Sequence, residues 1–177
     1  MGDDSFRSVY SDILGKYNNR EGIVIDTRFN GGGRLHEDIE VLFSGKKYFT
    51  QVVRGREACD MPSRRWNKPS IMLTCEANYS NAHGTPWVYS HQKLGKLVGM
   101  PVPGTMTSVS WERLQDTSLV FGIPVIGYRL PDGNYLENTQ LEPDIKVAND
   151  PEAIVKGEDT QLKTAVEELL KELDENK

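Results

Sequence analysis

Apolar positions recur first at helical spacing: Phe6, Val9, Tyr10, Ile13, Leu14 and Tyr17 share one side of a predicted helix that Asn18, Asn19 and Gly22 bring to an end. The period then changes. Residues 22–27 are continuously apolar until Asp26, the composition of a central parallel strand buried on both faces. Three glycines at 31–33 stop the run, and Leu35, Ile39, Leu42 and Phe43 resume a helical stripe. Residues 47–53 have strand composition, whereas 54–69 are polar and proline-bearing, which predicts a loop or lid around Trp66. A second buried strand is expected at 71–74, a helix at 82–94 ending at Gly95, and a third strand at 97–99.

Between Val109 and Leu136 the apolar residues come in short runs separated by Asp116, by Gly122-Ile123-Pro124 and by Pro131-Asp132-Gly133-Asn134. That pattern predicts strands joined by tight turns, the last one a hairpin. Leu162, Val166, Leu169, Leu170 and Leu173 mark a final helix capped by Asp159 or Thr160, a docking or covering element with a solvated acidic face. Strands alternating with helices in the first hundred residues give an α/β fold, a mainly parallel sheet flanked by helices, with a strand-rich C-terminal half. Its 177 residues suffice for a single domain, 1–177, with a complete core.

Composition narrows the function classes. A net charge of −5 argues against sequence-independent nucleic-acid binding, which needs a basic face. Arg54, Arg56, Arg64, Arg65 and Lys68 read as the solvated rim of a loop. No stretch approaches the length of a membrane-spanning helix, and the opening Met1-Gly2-Asp3-Asp4 lacks the regions of a secretion signal. Cys59 and Cys75 read as free thiols without metal-ligand spacing. His36-Glu37 looks superficially like a zinc helix, but position 40 is glutamate, so no metal is expected there, and no cofactor is expected either.

Two turns could carry chemistry. The glycines at 31–33 allow backbone amides to converge on an anion or a carbonyl oxygen, or they make a plain strand-to-helix turn. Arg34-Leu35 after them fits neither a dinucleotide fingerprint nor a nucleotide-triphosphate loop. Ser80 follows the second buried strand at the start of a predicted helix; it is a nucleophile candidate, or a serine chosen as a helix cap. His83, one turn along, could reach it, although a base there would be poorly aimed and the helix dipole disfavours its charged form. Asp26 and Arg28 could pair to fix the first turn.

The ordered set, Asp26-Thr27-Arg28-Phe29-Asn30-Gly31-Gly32-Gly33, Ser80 in a small-residue helix start, Leu97-Val98-Gly99, Leu136-Glu137-Asn138 and Glu142-Pro143-Asp144-Ile145, resembles the catalytic core of the C-terminal processing and tricorn-type serine peptidases over roughly residues 20–148. The resemblance implies a Clp protease/crotonase-like fold, with Ser80 as nucleophile and the Asn81 N–H as one oxyanion donor. The second donor would be Gly31 or Gly32. Thr105 stands where the processing branch has its lysine base. Glu137 matches the glutamate of the tricorn tetrad, whose histidine lies in an upstream domain that this chain does not contain.

The resemblance further implies a peptide or unfolded-protein substrate, assembly into an oligomer left open, and a lean toward the bacterial cell envelope for the full-length parent. Turnover by the isolated chain is expected to be slight or nil. The alternative is a non-catalytic peptide- or ligand-binding module on the same fold; acyl-CoA chemistry on the related crotonase fold leaves Ser80 without a use.

Overall fold

A computed structural model describes residues 2–175. In chain order the elements are α1 (Asp3–Ser11), which runs into a π-helical turn (Asp12–Lys16), β1 (Ile23–Asp26), α2 (His36–Phe43), β2 (Phe49–Val53), β3 (Arg56–Met61), β4 (Ser70–Thr74), α3 (Asn81–His91), β5 (Leu97–Gly99), β6 (Ser108–Arg113), β7 (Val120–Ile126), β8 (Ile145–Lys146), α4 (Pro151–Val155) and α5 (Thr160–Glu175). Strands β1, β4, β5 and β8 form one parallel sheet in that order. The mixed α/β architecture agrees with the sequence.

Period-two alternation divides the core between the two faces of this sheet. Met72 and Leu97 face one way, with Ile23 and Ile25, against Ile13, Leu42, Phe43, Trp66 and Tyr89. Ile71, Leu73 and Val98 face the other way, with Val24, and meet Ala165 and Leu169 of α5. Every residue of β4 is buried, as its unbroken apolar run requires. The turn that follows it therefore leaves from a fully buried strand inside the sheet.

Three local features depart from expectation. Residues 54–69 are not simply a loop, since Arg56–Met61 form β3 and pair antiparallel with β2 across a two-residue turn. Arg54 and Gly55 both take positive φ there, 50° and 80°, the geometry whose twist suits a hairpin; Arg-Gly is a weak signal for it compared with Asn-Gly. Around 131–134 the chain does turn, but pairing is limited to the single bridge between Arg129 and Tyr135. The extended hairpin is β6–β7, turning at Asp116. In α5, Asp159 caps as expected, its Oδ1 accepting the Leu162 N–H at 2.9 Å. Burial, however, falls on Gln161, Ala165 and Leu169, leaving Leu162, Val166 and Leu170 toward solvent. Among the described residues no helix is long and apolar enough to cross a membrane.

Candidate active site

The reversal after β4 is organised by a buried amide. Asn78 Oδ1 accepts the Cys75 N–H at 3.3 Å, while its Nδ2 donates to Thr27 Oγ1 and to the Ala82 carbonyl, each at 3.1 Å. Thr27 Oγ1 in turn donates to the Leu73 carbonyl at 2.7 Å, so one side chain binds the ends of β1 and β4 to the first turn of α3. Cys75 adds a second tie, its Sγ accepting the Phe29 N–H at 3.2 Å. Cys59 and Cys75 are both free thiols.

Held this way, Ser80 sits at φ 56° and ψ −125°, a conformation that costs an L-residue on the order of 1–3 kcal/mol. A serine selected as a helix cap would be extended and would accept an N–H of the first turn. Ser80 is not extended, and its side chain makes no capping bond. Its hydroxyl has no hydrogen-bond partner among the described residues, and its N–H donates to Thr105 Oγ1 at 3.2 Å. The position that the lysine resemblance singled out thus holds the backbone of Ser80.

The glycine turn lies directly against this one. The Tyr79 N–H donates to the Asn30 carbonyl at 3.0 Å. A Cβ on Gly32 would fall 2.7 Å from Ser80 Cβ and 3.0 Å from the Asn81 nitrogen, so glycine is required by contact as well as by its φ of 101°. The Gly32 N–H donates to Asn30 Oδ1 at 2.8 Å, inside its own turn. Of the amides expected to converge here, those of Gly31 and Asn81 carry no hydrogen bond among the described residues.

Residues 104–107 cross the start of α3 and bring in Glu137. Thr107 donates its N–H to Glu137 Oε2 at 2.7 Å, and Asn138 donates its N–H to the Gly104 carbonyl at 3.0 Å. Met106 packs on Gly84, where an added Cβ would meet its sulfur at 2.6 Å. His83 lies beneath, fully buried, with neither ring nitrogen hydrogen-bonded. Burial pushes its pKa down and holds the ring neutral, with the Glu137 charge pulling the other way. It makes no hydrogen bond to the Ser80 hydroxyl.

One neighbour escaped the sequence reading. His36 Nδ1 lies 2.7 Å from Asn81 Nδ2, and the edge of its ring meets Tyr128 at a centroid distance of 6.4 Å. The residues are 45 apart in sequence, and nothing local signals the contact. No cluster of three or more metal-ligating side chains occurs among the described residues. His91 is solvent-facing and stacks on Trp87, Trp66 is core, and Trp111 projects from the β6–β7 hairpin.

Arg28 stabilises the whole corner. Its guanidinium forms ion pairs with Asp26 at 2.7 Å and Asp159 at 2.8 Å, and it donates to Gln161 Oε1 at 3.0 Å. Asp26 and Asp159 raise the Arg28 pKa beyond its ordinary value, and Arg28 holds the Asp159 carboxyl far below the usual carboxylate range. The expected Asp26–Arg28 pair is therefore one arm of a bridge from β1 to α5.

Residues 1–147 match the model of peptidase family S41. A protein named as a tricorn-like protease C-terminal subunit from Sulfurisphaera tokodaii is 32% identical over 176 residues, covering 96% of this chain and 20% of its own length. The tricorn protease of Thermoplasma acidophilum is 26% identical over 156 residues, 86% of this chain and 14% of that one. The chain thus spans a fifth or less of these relatives. Among solved structures, the tricorn protease superposes with a TM-score of 0.76 at 25% identity, covering 87% of this chain and 15% of that chain. Mature CPAF shares the fold at a TM-score of 0.68 and 15% identity, covering 99% and 48%.

Proposed function

The chain belongs to peptidase family S41, and from that premise we propose that it is the nucleophile-bearing core of a tricorn-like serine peptidase. The observation that carries the reading is Ser80 in a strained strand-to-helix turn with Gly32 pressed against it. Ser80 Oγ attacks the scissile carbonyl carbon while a base removes its proton. The oxygen of the tetrahedral intermediate is stabilised by the N–H groups of Asn81 and Gly31, at the positive end of α3. Collapse expels the amine, protonated by the same base, and leaves an ester on Ser80 that water hydrolyses. Glu137, which accepts the Thr107 N–H at 2.7 Å, orients that machinery.

The base comes from a region upstream of residue 1 in the full-length parent, since Thr105 stands in place of the lysine of the processing branch and the buried His83 makes no hydrogen bond to the Ser80 hydroxyl. The isolated chain then turns over little or no peptide. The decisive experiment treats the full-length parent with a fluorophosphonate probe and with unstructured peptides. Labelling at Ser80 and peptide cleavage, both lost in Ser80→Ala, are expected. A parent that neither labels nor cleaves leaves a peptide-binding module on the same fold as the better reading.

A further inference from the structure

Asn81 supplies the amide next to Ser80, and the nitrogen of its own side chain is tied to a second helix start. It is buried at 3% exposure. Its Nδ2 lies 2.7 Å from His36 Nδ1. One turn along α3, Thr85 Oγ1 donates to the Asn81 main-chain carbonyl at 2.9 Å and stands 3.5 Å from Oδ1. With the Asn81 carboxamide turned this way its nitrogen donates, which makes His36 Nδ1 the bare, accepting nitrogen and places the ring proton on Nε2. The Tyr128 ring against the imidazole, 86° from coplanar, limits its rotation. His36 opens α2, just past the glycine turn, and Asn81 opens α3, just past the serine turn. One hydrogen bond therefore locks together the two helix starts that follow the two chain reversals of the site.

We propose that His36 is a positioning residue of this site: as the neutral Nε2–H tautomer it clamps Asn81, and through it the amide that faces the oxyanion. The catalytic half of the proposal rests on the peptidase reading of Ser80; the clamp itself does not. His36 makes no hydrogen bond to the Ser80 hydroxyl and acts through Asn81, so its effect falls on the transition state. A donor displaced by a fraction of an ångström loses part of the roughly 100- to 1000-fold that one oxyanion donor contributes.

Two arms test this separately. In the 177-residue chain, ¹⁵N-detected imidazole resonances of His36 at pH 7.5 should show a bare Nδ1 and a protonated Nε2, coupled to a slowly exchanging Asn81 carboxamide. A protonated Nδ1, or averaged tautomers, overturns the clamp. In the full-length parent, His36→Phe should lower kcat by about 10- to 100-fold with KM changed less than about 3-fold. His36→Asn, whose Oδ1 can accept where Nδ1 did, should recover most of that loss, and His36→Gln should not. Equal losses in the Asn and Phe variants overturn the positioning role. The expected tautomer in a parent inert to both probe and peptide upholds the clamp and sinks the peptidase reading.

Discussion

A methyl group added at position 32 would lie 2.7 Å from Ser80 Cβ and 2.9 Å from the Tyr79 carbonyl oxygen, neither of which can retreat without moving the serine turn. Gly32→Ala should therefore lower stability by about 1–3 kcal/mol, and its larger effect should be on Ser80 reactivity in the parent. A melting curve and a labelling rate taken together check this; an unaffected labelling rate would mean that the two turns are not coupled. Thr105→Val removes the acceptor of the Ser80 N–H while keeping the side chain's volume, and should slow labelling, with Thr105→Ser close to wild type. His83 calls for the opposite kind of test. Its two nitrogens are buried without partners, so His83→Leu should leave stability unchanged or raise it by about 1–2 kcal/mol. Because burial depresses the pKa of His83, the unfolded chain takes up that proton first as the pH drops below about 6.5. Wild-type stability falls through that window, and the leucine variant should lack this part of the slope in denaturant midpoints measured between pH 7.5 and 5.

Among the elements, α5 depends on a charge bridge as well as on its apolar face. Ala165 and Leu169 reach the sheet, but the N-terminus of α5 is held by Asp159, which both caps Leu162 and pairs with Arg28. Asp159→Asn keeps a capping oxygen and loses the charge, so it isolates the bridge; a loss of about 1–3 kcal/mol at pH 7 is expected. The folded-state pKa of Asp159 is depressed, so its contribution is fully present above the unfolded value of about 3.9 and disappears as the pH falls from there toward the folded value. Urea midpoints of wild type and variant should therefore differ at pH 7 and converge as the pH drops below 4. An undiminished gap at pH 3 would assign the effect to packing. The same elements show what was legible in the chain. The apolar runs at 22–25 and 71–74 announce their strands, but only β4, inside the sheet, is buried throughout; β1, expected to be central, lies at the sheet's edge with its residues partly exposed. The β3 strand stayed hidden because its turn relies on Arg54 at positive φ, which no local preference favours. The turn that carries Ser80 was legible but its conformation was not: the positive φ of Ser80 is held among contacts to Gly32, Thr105 and Asn78 that only the assembled sheet brings together.

At the scale of the molecule, two regions of unlike cohesion share one chain. The parallel sheet is enclosed on both faces, and Met72, Leu73 and Val98 are wholly buried. The β6–β7 hairpin carries Trp111, Val120, Phe121, Val125 and Ile126 half or more exposed, on both of its faces. Apolar residues so placed contribute little to folding, because their surface is not removed from water. Backbone pairing within a two-stranded ribbon is marginal on its own. Hydrogen exchange should accordingly divide the chain: amides of β4 and β5 exchange only through global unfolding, while those of β6 and β7 exchange by local opening several kcal/mol cheaper. The site straddles this division. Ser80 and Asn81 hang from β4 and α3, on the cohesive side, whereas Thr105 and Thr107 lie on the segment leading into β6. The Ser80 N–H, bonded to Thr105, should therefore show protection close to that of residues 104–107 and below that of Thr74. Mass-resolved exchange over these peptides reads the difference directly. Protection at Ser80 equal to that of Thr74 would show that Thr105 is fixed to the sheet independently of its hairpin.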